Sequence, residues 1–98
     1  MTTRITAVDV RRQFTERYVP ALASLGVSTD GFTLERGVSH WTLTDKDGFA
    51  APGVVGHGLS AGYIGSTARE AYATLQTIAK TLEFAGSFMV ANADRVLR

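Results

Sequence analysis

The chain has no cysteine and only two histidines, His40 and His57. Without cysteine there is no disulfide framework and no thiolate to serve as nucleophile or metal ligand. A zinc site would have to recruit Asp or Glu beside the two imidazoles, and no spacing of acids offers one, so no metal and no cofactor is expected. Long apolar runs are also missing: nothing approaches the roughly 20 residues that cross a bilayer. The first residues lack the apolar stretch of a secretory signal. The expectation is a cytoplasmic protein without a membrane partner. An excess of charge of one sign is lacking too. The net charge is +1, with acids and bases interspersed, which argues against a strong general attraction to nucleic acid or anionic lipid.

What is present is an ordinary globular composition, 45% hydrophobic and 19% charged over 98 residues. That suits one domain, residues 1–98, with a core large enough to fold without covalent staples. The best-specified stretch runs from Gly62 to Phe84. Thr67 and Glu70 make a capping box, in which the Thr67 hydroxyl takes the N–H of residue 70 and the Glu70 carboxylate reaches back to the N–H of residue 67. Ala68, Ala71, Tyr72, Leu75, Ile78, Ala79 and Leu82 then recur at helical spacing as one apolar stripe. The spacing predicts a helix over about 68–84.

Upstream, Thr6 is a helix N-cap. Val10, Phe14, Tyr18, Leu22 and Leu25 form a stripe, joined by Ala7 and Ala21, while Arg11, Arg12, Gln13, Glu16 and Arg17 fall on the other side. Pro20 removes one backbone donor and should kink or split this helix near Val19. Gly26 closes it as a C-terminal cap. Residues 32–44 alternate apolar and polar around Arg36-Gly37, which predicts a hairpin with a two-residue loop there. That register sets Leu34 opposite Ser39 and Phe32 opposite Trp41. Phe32, Leu34, Trp41 and Leu43 then share a core face, with Thr33, Glu35, His40, Thr42 and Thr44 on a polar one. Asp45 to Gly48 is a turn, and Leu59 to Ile64 is the expected third strand. After Phe84 two readings stay open. Either Gly86 ends the helix and Ser87 begins a short second piece, or the helix continues. The resulting fold is α+β: an N-terminal helix, a three-stranded antiparallel sheet, a long capped helix and a short C-terminal helical piece.

The chemistry-bearing motifs are thin. Gly53 to Gly58 is glycine-rich, but no lysine follows and the next element reads as a strand, so it is no phosphate loop. Asp45-x-Asp47-Gly48 opens like a calcium loop and lacks the later acidic ligands. His57 has no serine or cysteine nucleophile placed beside it, so no catalytic residue is assigned. Arg11, Arg12, Arg17 and Arg69 are the candidates for phosphate contact, against the plain reading of a solvated helix face beside Asp9 and Glu16. Phe84, Phe88, Met89 and Val90 crowd the end of the long helix. Phe84 is offset by about 200° from Leu82 at roughly 100° per residue. Exposed apolar clusters mark interfaces, and a homodimer is the commonest way to cover one. The alternative is that the tail caps its own core against the first helix.

The order helix, three strands, helix resembles the double-stranded-RNA-binding domain. That family has a lysine-rich start to its last helix, where this chain has Ala68, Arg69 and Tyr72. The strand-Gly-x-x-Thr-x-x-Glu-Ala pattern is similar to the arm-type DNA-binding domains of tyrosine integrases, whose exposed sheet face is basic and aromatic. Both resemblances imply a helix-sheet-helix nucleic-acid binder. From Ser39 to Phe84 the tryptophan strand, the Tyr63-Ile64-Gly65 strand end and Ser66-Thr67-Ala68-Arg69-Glu70-Ala71-Tyr72 look like small accessory proteins of actinobacterial phages. That resemblance implies a phage origin, the host cytoplasm as setting and a host protein as one partner, and it implies no mechanism. With the apolar cluster at the chain's end, the expectation is a non-enzymatic interaction module that works by self-association or by binding a host protein.

Overall fold

The computed structural model describes residues 4–54 and 61–96, with side chains through Gly86. A first helical run comprises α1, Ala7–Gln13, a π-helical turn, Phe14–Tyr18, and α2, Val19–Ser24. Three strands follow, β1 (Thr33–Arg36), β2 (Trp41–Thr44) and β3 (Tyr63–Gly65), and then α3, Ala68–Val96. The strands form one antiparallel sheet in the order β1-β2-β3. The helices cover one face of it. Val10, Tyr18 and Leu22 meet Trp41, Leu43 and Ile64 from the sheet and Ala71, Leu75 and Ile78 from α3 in a single buried cluster. This is the two-layer α+β arrangement that the alternating and helical patterns call for.

The disturbance expected from Pro20 falls near Val19: a π turn ends at Tyr18 and α2 begins at Val19, with the helical run continuing through it. The proline's missing N–H and its ring both disturb the backbone one turn earlier, and the chain answers by widening that turn. The Val19 N–H bonds to the Phe14 carbonyl five residues back, the signature of a π turn. The extra residue changes which side chains face inward. Gln13 and Tyr18, five apart, share the inner face, and Gln13 is buried with no partner for its Nε2 among the described residues. Its assignment to the solvent side is therefore corrected. Beyond Leu25 the chain closes as expected, with Gly26 at φ 78°. The Gly26 N–H reaches the Ala23 carbonyl and the Val27 N–H the Leu22 carbonyl, both at 3.0 Å. That paired bonding is the Schellman ending glycine permits.

The hairpin keeps its predicted faces and changes its register. Leu34 lies opposite Leu43, and Arg36 opposite Trp41. The Gly37 N–H donates to the His40 carbonyl at 2.8 Å, so the tight loop is Val38-Ser39 instead of Arg36-Gly37. Moving the turn by two residues shifts every pairing by an even number. Parity survives, which leaves Trp41 and Leu43 buried and Phe32 and Leu34 packed against the core. Of the expected third strand, residues 59 and 60 lie outside the described residues, and β3 begins at Tyr63.

Asp45 makes the turn after β2 with its own carboxylate, which accepts the N–H groups of Asp47 at 2.8 Å and Phe49 at 3.0 Å. The chain then crosses the core at Ala51 to Val54. Tyr18, fully buried, donates its hydroxyl to the Pro52 carbonyl at 2.8 Å, and burial pushes its phenol pKa up. Gly53, at φ 84°, lies so close over Ile78 that a Cβ there would come within 2.6 Å of its Cγ2, so any other residue would force Ile78 or the backbone to shift.

Candidate functional site

The candidate site is the outer side of α3. Its start is fixed by the capping box in a slightly altered form. The Glu70 N–H donates to the Thr67 hydroxyl at 3.1 Å, while the Glu70 carboxylate accepts the N–H of Ser66, at 2.8 Å, instead of that of Thr67. Reaching one residue further back still satisfies a donor that no helical carbonyl can serve. From there the stripe from Ala71 to Ala79 faces the sheet. Of the two readings at Gly86, the structure takes the second: α3 runs through it, for 29 residues in all, or about 43 Å at the usual rise. No separate C-terminal piece forms. Gly86 is buried, and a Cβ on it would sit 3.3 Å from Ser24 Oγ and 3.5 Å from Leu25 Cδ2. Glycine serves here for close approach of two helices and not as a stop.

Two residues before it, Phe84 points away from the core and is 73% exposed. The helical phase placed it there: the stripe that ends at Leu82 faces the sheet, and Phe84 falls on the opposite side. The side chains of Phe88, Met89 and Val90, the other members of the predicted apolar cluster, lie outside the described residues.

On one flank of α3 an open cleft of about 520 Å³ is lined by the helix, β3 and Gly53, with Ile64, Ile78 and Leu82 among its walls and Thr74, Thr77 and Thr81 along its rim. Among the described residues no charged side chain lines it. The Thr81 hydroxyl is turned back onto the Thr77 carbonyl at 3.0 Å, which leaves this rim less polar than its composition implies. On the other flank Arg17 pairs with Glu83 through two parallel bonds, Nε to Oε1 at 3.1 Å and Nη2 to Oε2 at 3.2 Å. The hydrogen bond to Glu83 holds the guanidinium pKa above its ordinary value.

That pairing occupies the guanidinium of Arg17, one of the candidate phosphate ligands. Arg11 and Arg12 stand exposed on α1, and Arg69 is exposed in the first turn of α3. The hairpin end holds a group that strand alternation did not show. His40 leaves β2 and lies in the turn, where Ser39 Oγ is 2.8 Å from its Nδ1 and the Tyr63 ring is 5.5 Å from its own. Tyr63 in turn shares a 2.8 Å bond with the Ser66 hydroxyl. The signal was the shared face of Thr42 and Tyr63, which only the observed pairing across β2 and β3 reveals. As a nucleophile and base, Ser39 and His40 lack the third group that orients a catalytic imidazole: among the described residues no carboxylate bonds to the ring.

Asp30, Asp45 and Asp47 border a second opening, of about 460 Å³, and Asp45 is spent on its own turn. Among the described residues no group of three His, Cys, Asp or Glu could hold a metal ion, and no helix is long and apolar enough to cross a membrane. His57 and residues 55–58 of the glycine-rich loop lie outside the described residues. No family model, no curated protein and no solved structure matches the chain.

Proposed function

We propose that this chain is a non-enzymatic interaction module that pairs with itself through the far end of α3. The observation that carries this reading is Phe84, a large aromatic 73% exposed on a helix that continues to Val96. A large aromatic on a helix surface is a characteristic anchor of protein interfaces. Phe88, Met89 and Val90, the rest of the apolar cluster expected from the sequence, follow on the same helix. A twofold pair is the commonest arrangement that covers such a surface. In this reading the partner is a second copy, a host protein, or each in turn. The setting is the host cytoplasm of an actinobacterial phage, on the resemblance of residues 39–84 to small accessory proteins of such phages.

Light scattering after gel filtration at tens of micromolar tests the proposal, with Phe84→Asp as the variant. The expected result is a dimer mass for the parent chain and a monomer mass for Phe84→Asp with an unchanged circular dichroism spectrum. A monomeric parent chain removes self-association, and a dimer indifferent to Phe84→Asp moves the interface elsewhere. The second reading, a nucleic-acid-binding domain, draws on the order helix, three antiparallel strands, helix and on exposed Arg11 and Arg12.

A further inference from the structure

We draw no further inference here: the strongest candidate, the open cleft of about 520 Å³ between α3 and β3, lies where the chain leaves Val54 for residues 55–60, and nothing among the described residues shows what covers it.

Discussion

Gln13 is 6% exposed, and its Nε2 has no hydrogen-bond partner among the described residues. A buried amide donor left unmade costs roughly 1–3 kcal/mol. Methionine has the same unbranched length and no donor, so Gln13→Met should raise stability by about 1 kcal/mol or more. The urea midpoint reads this directly, and a lower midpoint would mean that the amide is satisfied in solution. Asp9 works in the opposite direction. Its carboxylate accepts the Thr6 N–H at 2.8 Å and the Thr6 hydroxyl at 3.1 Å. The first of these, then the second, holds its pKa below the ordinary 3.8. A carboxylate whose folded pKa is depressed adds stability that is fully present above its unfolded value and is lost as pH falls through the folded one. Asp9→Asn should therefore be less stable than the parent near neutral pH, and the difference should close in acid below that range. A gap that stays constant with pH would show that the charge contributes nothing to the cap.

Among the elements, α3 was the most legible, because its stripe repeats every three or four residues and the Thr67–Glu70 box marks its start. The hairpin was legible in parity and not in position. Gly37 drew the turn towards itself as the residue that adopts positive φ most easily, yet its φ is not positive and the turn forms on Val38-Ser39. Alternation constrains a register only to within even shifts, so the core face survived the error. Pro20 announced a disturbance, but the backbone had two ways to absorb it. Only the packed structure shows that widening the preceding turn keeps Tyr18 and Leu22 in the core and draws Gln13 in with them.

Gly86 posed the same difficulty, since a helix stop and a close approach are written with one letter. Substitution distinguishes them. Alanine in a helix interior gains about 1 kcal/mol over glycine in propensity, and here it would meet Ser24 Oγ at 3.3 Å and Leu25 Cδ2 at 3.5 Å, contacts that a small adjustment relieves. Gly86→Ala should be close to neutral or mildly stabilising in thermal denaturation. Gly86→Leu drives a larger side chain between α2 and α3 and should cost about 1–3 kcal/mol. A strong loss already at alanine would indicate that Ser24 and Leu25 cannot give way at this close approach.

Over the whole molecule the charge and its placement bear on partners more than the topology does. Fold alone does not choose between an interaction module and a nucleic-acid binder. Charge does. Of the candidate phosphate ligands, Arg17 is tied to Glu83, and Arg12 lies close enough to Asp9 to lower its pKa. Arg69 is the single base among Ala68, Arg69 and Tyr72 at the start of α3. The polar sheet face offers Thr33, Glu35, Thr42 and Thr44, with Glu35 repelling a phosphate backbone. A net charge of +1 supplies little steering. Each phosphate contact contributes a slope of roughly −0.9 to the dependence of log K on log salt for duplex DNA. Two or three arginines therefore give a shallow slope and weak binding. Anisotropy titrations with a labelled duplex and a labelled RNA hairpin should show only weak association, gone by about 200 mM salt. Tight binding to one of them that persists at that salt, weakened by Arg11→Ala and Arg12→Ala together, would overturn the interaction-module reading in favour of the nucleic-acid one.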